Sequence, residues 1–242
     1  MNPWLHFIRA TVVGGVLAGL LLTVLYWRWL DPLILHAEGI EAQMATGRAP
    51  IPGMVPGLLK QEWPPAAGWE RLLFEMLENL FWSMLRGAGL CALMLVHLRR
   101  SGRLPGAGVG LGWGLAAFAA LVAAPALELP PHLPGVINEA ALSTRQAYGW
   151  IAAGNTAAGL ALLALGRGWL QRGLGVALLA VPHVLGFEQV AIEPLLAFPP
   201  LLMARYASTL LIVQGMHWAL LGALCGGVLG RGLGQEQPRR GG

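Results

Sequence analysis

Histidine and glutamate side chains are the groups in this chain that could bind a metal ion. Imidazole nitrogens are frequent ligands of Co, Ni, Zn and Cu ions, and carboxylates supply harder oxygen ligands. Their spacing matches nothing as specific as a His-Glu-x-x-His helix, and an ordinary hydrogen-bonded role for each histidine is the alternative. The candidate metal ligands are His36, Glu38, Glu75, Glu78, His132, His183, Glu188 and His217.

A second set of polar residues lies within an apolar stretch, at about residues 72–98. Glu75, Asn79 and Arg86 follow helical spacing, so they form a stripe on one helix face, with Trp82 on the same face and Glu78 beside it. Ionisable groups are expensive inside a bilayer, which makes each a functional candidate. The stripe predicts one of two structures. Either Arg86 pairs with a glutamate and locks helix packing, or the carboxylates line the outer mouth of a cation path.

The composition places these residues in a membrane protein. The chain has 242 residues, of which 56% are hydrophobic and 12% charged. Soluble domains carry about 25% charged residues, so this chain has too few to cover a compact core. Its 34 glycines suit close helix packing in lipid, and its ten tryptophans suit the headgroup level.

The apolar stretches predict the architecture. A transmembrane helix needs about 20 mostly apolar residues. We therefore predict an all-α, polytopic membrane helix bundle of about six transmembrane helices in a single domain. Span five is the shortest and could be broken or re-entrant. Residues 31–71 are predicted to be a Pro-rich outer loop that starts with a short helix, Pro32 to Ala45, and residues 231–242 a flexible tail. The predicted spans are 8–30, 72–98, 108–128, 149–166, 172–188 and 206–230.

The charges predict the orientation. With both termini cytoplasmic, most arginines fall in the short inner segments, as the positive-inside rule requires. This rule also explains the net charge of +4 without a nucleic-acid partner. Acidic residues collect on the outer side, which the rule does not require, so we interpret the outer face as the one that meets a ligand or partner. The inner arginines are Arg9, Arg99, Arg100, Arg103, Arg167, Arg172, Arg231, Arg239 and Arg240.

Catalytic signatures are not found in the sequence. It contains no Gly-x-Ser-x-Gly, Walker A loop or paired Cys-x-x-Cys, and Cys91 and Cys225 fit small buried residues. The chain is therefore predicted not to be an enzyme, and any transport energy must come from a gradient or a partner protein.

Four ordered segments carry a family resemblance. The first is Pro32–Glu38, and the second is Trp63–Arg71. The third is Leu129–Gly135, a proline-histidine turn that is followed by Arg145-Gln146. The fourth is Pro182–Gly186. In this order and spacing they resemble the CbtA family of cobalt transporter subunits, over nearly the whole chain.

This resemblance implies a multi-pass protein of the bacterial inner membrane that helps to move Co²⁺ for cobalamin synthesis. It implies Co²⁺ or another divalent cation as the transported ion, no permanently bound cofactor, and a small single-span partner similar to CbtB. The chain departs from the family pattern because residues 42–71 contain no histidine and Gly186 is followed by Phe187. Both departures remove nitrogen ligands. The transported ion could therefore also be a harder cation, which prefers oxygen ligands.

Two functions therefore compete. The leading hypothesis is a subunit of a divalent metal-cation transporter. The alternative is a non-transporting accessory subunit of a larger membrane complex, whose polar helix faces serve only for packing. A transporter predicts a polar path from the outer face to mid-membrane, whereas an accessory subunit predicts the same residues paired with one another. Membrane lipids surround either form, and homo- or hetero-oligomers remain open.

Overall fold

The fold was analysed in a computed structural model that describes residues 3–45, 68–133, 139–186 and 198–235. Every regular element in these ranges is helical. The elements are α1 (Pro3–Leu25), a π-helical turn (Tyr26–Leu30), α2 (Asp31–Ala45), α3 (Trp69–Ser101), α4 (Ala107–Phe118), a second π-helical turn (Ala119–Ala123), α5 (Ala124–Glu128), α6 (Glu139–Leu165), α7 (Trp169–Leu185) and α8 (Pro200–Gly234).

Five helices in the described part of the chain are long and apolar enough to cross a membrane. They confirm a polytopic helical bundle. The predicted span at 172–188 corresponds to α7, which has 17 residues and is shorter than the roughly 20 that a full crossing needs. Whether α7 crosses completely stays a prediction.

Two predicted boundaries differ from the structure. The helix predicted from Pro32 to Ala45 is present as α2, but it continues from α1 through the first π-helical turn and is not a separate loop helix. Helix α8 continues to Gly234 and so includes the first residues of the tail predicted at 231–242, of which residues 236–242 lie outside the described part. Residues 46–67, which hold most of the predicted outer loop, lie outside the described part.

Local chemistry explains where the helices begin and end. α3 has Glu70 in its first turn and Arg99 and Arg100 in its last, which complements the helix dipole. The helix ends at Ser101 and is capped by Gly102, whose φ of 68° is a left-handed conformation that favours glycine. The predicted hairpin between spans four and five is present. There the Oε1 atom of Gln171 accepts hydrogen bonds from the backbone N–H groups of Arg167 (2.8 Å) and Gly168 (3.5 Å).

The described helices form two compact units. Unit 1 takes its residues from 1–27, 65–118 and 213–242, and unit 2 takes its residues from 28–64 and 119–212. The α1–α2 and α4–α5 helices pass from one unit to the next at or beside their π-helical turns. Such turns interrupt the regular hydrogen-bond ladder of a helix and frequently mark functional sites.

Unit 1 is held together by glycines. Gly110 and Gly114 of α4 face Gly222 and Gly226 of α8, and an added Cβ on any of the four would collide with the backbone of the opposite helix. We call these four residues the glycine seam. In lipid, apolarity drives no helix association, so close backbone packing of this kind supplies much of the attraction. Cys91 and Cys225 are buried, free thiols within the same unit, as the sequence predicts.

Unit 2 contains the α6–α7 hairpin and a small apolar core. Gly159 and Gly175 bring the two helices into contact, since a Cβ on Gly175 would lie 2.9 Å from the Gly159 carbonyl oxygen. The core consists of Ala37, Leu133, Phe198 and Leu202. Leu133 is only 2% exposed, so it anchors the proline-histidine turn that precedes α6.

Candidate functional site

The polar stripe of α3 lies in unit 1, where its residues contact α1 and α8. The side chain of Asn79 donates a hydrogen bond of 3.3 Å from Nδ2 to the Thr23 hydroxyl. Thr23 in turn donates to the Gly19 carbonyl at 3.0 Å. At the N-terminal end of the stripe, Glu75 pairs with Arg71 one turn earlier, with 3.2 Å between Nε and Oε1. Glu75 and Asn79, the N-terminal residues of the stripe, therefore make their contacts within unit 1.

Helix α8 adds polar contacts to those of α1 and α3, and we call the contacts among these three helices the polar layer. The Ser83 hydroxyl and His217 Nε2 are 2.9 Å apart, and both residues are fully buried. One helical turn away, Gln214 donates from Nε2 to the Tyr26 hydroxyl at 3.0 Å. Tyr26 belongs to the first π-helical turn. Three helices thus exchange polar contacts inside unit 1.

Arg86 has an aromatic contact in this layer. Its guanidinium carbon lies 5.5 Å from the centre of the Trp218 ring, within the range of a cation–π interaction. Of the glutamates considered as its partner, Glu75 pairs with Arg71 and Glu78 is exposed. Trp82, predicted on the inner face, is 43% exposed, and Ser83 is the buried residue at that level. At the centre of the stripe, the residue that faces the interior of unit 1 is therefore Ser83 and not Trp82.

His217 lacks the neighbours of a metal site. Across the ranges that the structure describes, no three His, Cys, Asp or Glu side chains come together as a metal-ion site. The ring has Ser83 on one nitrogen, and the buried Nδ1 has no hydrogen-bond partner among the residues that the structure describes. A cation at His217 would also meet the positive charge of Arg86, which lies against the adjacent Trp218. Whether His217 binds a cation stays a prediction.

Unit 2 contains a different arrangement, in which a carboxylate meets an imidazole. The Oε1 atom of Glu128, the last residue of α5, lies 3.4 Å from Nδ1 of His183 near the end of α7. Both side chains are partly exposed, at 33% for Glu128 and 26% for His183. A carboxylate oxygen and an imidazole nitrogen from two helices are therefore close together and accessible.

Two further contacts hold these helix ends in place. The Tyr148 hydroxyl of α6 donates to the Pro182 carbonyl at 3.0 Å, directly before His183. Arg145 of α6 donates from Nη2 to the Pro130 carbonyl at 3.0 Å, two residues after Glu128. Helix α6 thus positions both partners of the Glu128–His183 pair through backbone carbonyls.

His132 follows on the same turn and is half-buried. Burial, and after it the positive charge of Arg145, lowers the pKa of His132 below 6.5. Its buried Nδ1 atom has no hydrogen-bond partner in the described part of the chain. A neutral ring keeps one nitrogen lone pair, which is the form that binds a metal ion.

The lowered pKa of His132 predicts a pH effect on stability. The unfolded chain takes up a proton near pH 6.5, while the folded chain resists it to lower pH. Folding is therefore expected to weaken as the pH falls below 6.5, and His132→Gln should remove part of this loss. Thermal unfolding in detergent at pH 7.5 and 5.5, for both proteins, measures it. Equal pH dependence in the two proteins would contradict the prediction.

Two further candidates, His36 and Glu38, belong to α2 of unit 2. His36 is exposed on α2, and Glu38 is partly buried on the same helix. Glu188 lies outside the described residues, so its place as a ligand stays a prediction. The structure thus brings together one predicted ligand, His183, and one carboxylate that was not among the candidates, Glu128.

Comparison with known families identifies the chain. Residues 5–230 match the family described as "Probable cobalt transporter subunit (CbtA)". The chain belongs to the CbtA family. No curated protein and no solved structure matches it. The family resemblance inferred from the four segments is therefore confirmed, and membership indicates a subunit of a membrane transporter.

In unit 2, the residue that precedes the third CbtA segment contacts the fourth segment. The turn that begins at Leu129 receives the hydrogen bond of Arg145, and Glu128, directly before it, meets His183 of the fourth segment. Sequence reasoning missed Glu128 because it is the last residue of an apolar helix, where a carboxylate normally faces water. The available signal was its position next to the proline-histidine turn.

Proposed function

We propose that this CbtA-family subunit takes part in the uptake of a divalent cation, Co²⁺, and that Glu128 and His183 are its first ligands. The observation that carries the proposal is the Glu128–His183 pair, which joins the residue before the third segment to the fourth segment. Its partial exposure leaves it accessible to an ion.

The spacing of the pair suits one metal ion. Oxygen and nitrogen ligands lie roughly 2.0–2.2 Å from a first-row divalent ion in tetrahedral sites, which puts two such ligands about 3.4 Å apart. Glu128 Oε1 and His183 Nδ1 are separated by 3.4 Å. Imidazole nitrogen with carboxylate oxygen is a donor set that borderline ions such as Co²⁺ accept. Water would supply the remaining positions.

The other predicted ligands extend this proposal. His132, with its neutral ring, is the nearest further nitrogen candidate on the same turn. His36, Glu38 and Glu188 are proposed to raise the local concentration of cations through the field of the acidic face. A location in the bacterial inner membrane, a link to cobalamin synthesis and a small single-span partner subunit are proposed from the family.

Uptake of radioactive cobalt by cells that lack other cobalt importers tests the proposal. Glu128→Gln and His183→Gln each remove one metal ligand and keep a side chain of similar size. We expect each to raise the cobalt concentration for half-maximal uptake about tenfold, which corresponds to about 1.4 kcal/mol. Glu70→Gln on α3 and His97→Gln are matched controls outside the pair and should take up cobalt normally. Unchanged uptake in both pair variants, at equal protein levels, would refute the ligand role.

The accessory function remains the second candidate because of unit 1. There two of the predicted polar residues pair with other side chains of the unit, Asn79 with Thr23 and His217 with Ser83, which favours a packing role. If this function is right, Ser83→Ala should lower the amount of assembled complex, while the pair variants leave uptake unchanged. The two candidates therefore predict opposite results in the same cells.

A further inference from the structure

Helix α3 of unit 1 carries a continuous exposed stripe beside the face that makes its polar contacts. Its apolar members are 46–59% exposed, and two residues of other types, Glu78 and Gly89, are exposed between them. The spacing of three or four residues places all seven on one helix face. The stripe consists of Phe74, Glu78, Phe81, Leu85, Gly89, Leu93 and Val96.

Glu78 is the charged residue of this stripe. It has exposed apolar residues one turn before it, at Phe74, and about one turn after it, at Phe81. The structure shows no hydrogen bond or ion pair of Glu78 within the described residues. Its charge acts on Arg86, two turns on, only from a distance, because the Arg86 guanidinium lies against Trp218. A carboxylate that faces lipid costs a few kcal/mol on insertion scales, so such groups normally face a partner.

Gly89 is the second unusual residue of the stripe. A Cβ added there would meet nothing within 4 Å, so the backbone of α3 is open to an incoming helix at this point. Small residues at such points allow helices to approach closely in membranes. Gly89 lies 11 residues after Glu78, which is about 16 Å along the helix.

We infer that this face of α3 binds one transmembrane helix of another subunit, which crosses at Gly89 and places a basic side chain against Glu78. Charge complementarity selects this occupant. Lipid tails would leave the carboxylate without a partner. A second copy of the chain would bring a stripe that carries no basic residue. The inference rests on the chain acting as one subunit of a transporter and is independent of the ion.

Energy transfer in phosphatidylcholine vesicles tests the inference. The full chain is labelled at a cysteine introduced by Ser101→Cys, an exposed position at the end of α3. The probes are two labelled leucine-alanine transmembrane peptides with one glycine. The first carries a lysine 11 residues from the glycine, and the second carries leucine in its place. We expect the chain to bind the lysine peptide about tenfold more tightly.

Three variants decide the origin of any preference. Glu78→Gln should abolish the preference for lysine, and Gly89→Leu should weaken the binding of both peptides. Glu70→Gln, an exposed carboxylate on the same helix, should leave both affinities unchanged. Because Glu78 and Gly89 are exposed, these changes should not disturb folding.

Several results would overturn the inference. Equal affinity for the two peptides, or a preference that survives Glu78→Gln, would show that this carboxylate recognises no helix. Energy transfer between donor- and acceptor-labelled copies of the chain that Glu78→Gln abolishes would identify a second copy as the occupant. Because the assay contains no cobalt, its failure would not bear on the proposed metal ligands.

Discussion

Gly114→Leu is expected to prevent the stable folding of unit 1. A Cβ at this position would collide with the Trp218 carbonyl oxygen, and the Trp218 carbonyl carbon and Gly222 Cα would lie only 3.1 and 3.2 Å away. These atoms belong to the backbone of α8, so they cannot move unless the whole helix moves. Overpacking of side chains costs about 1–3 kcal/mol, and a backbone collision should exceed that range.

The loss of folded structure should extend beyond the glycine seam. Displacement of α8 moves Gln214 and His217, which contact Tyr26 and Ser83. Thermal unfolding in detergent, together with the yield of protein inserted in the membrane, measures the effect. Gly112→Leu is the matched control, because it lies on the same helix two residues earlier and a Cβ there meets nothing within 4 Å. Equal stability of the two variants would contradict the close packing of α4 and α8.

Helix positions were largely predictable from the sequence because the bilayer restricts the backbone structures that an apolar segment can adopt. An apolar run of about 20 residues has few alternatives to a helix in lipid, where every backbone polar group must be satisfied internally. The continuity of α1 with α2 was not predictable. Arg28 and Asp31 look like the end of a span, but the helix continues past them through a π-helical turn, which composition does not indicate.

The polar stripe was predicted in part. Asn79 and Arg86 contact α1 and α8 within unit 1, whereas the spacing assigned Trp82 to a face on which Ser83 is the buried residue. Periodicity fixes the direction of a helix face only to within about one residue, since residues 82 and 83 differ by about 100°. The partners of these residues come from α1 and α8, and no pattern within α3 could name them.

The Glu128–His183 pair shows where sequence reasoning stops. The two residues are 55 positions apart, and each looks ordinary on its own. Their meeting depends on the α6–α7 hairpin and on two hydrogen bonds from α6 to backbone carbonyls, at Pro130 and Pro182. The family segments lie next to Glu128 and include His183, but they do not predict that these two residues are in contact.

Gly175→Leu is expected to abolish cobalt uptake through the loss of this hairpin. A Cβ at Gly175 would lie 2.9 Å from the Gly159 carbonyl oxygen and 3.1 Å from Leu163 Cγ, so a leucine must push α7 away from α6. Because α7 carries both Pro182 and His183, its displacement should break the Tyr148 hydrogen bond and separate His183 from Glu128.

Gly173→Leu is the matched control, because a Cβ at that position of α7 meets nothing within 4 Å. We expect it to retain uptake, whereas Gly175→Leu should lose it at an equal amount of membrane-inserted protein. A smaller substitution, Gly175→Ala, should give an intermediate loss, since one methyl group requires a smaller shift. Normal uptake by Gly175→Leu would mean that the position of α7, and with it the Glu128–His183 contact, is not needed for transport.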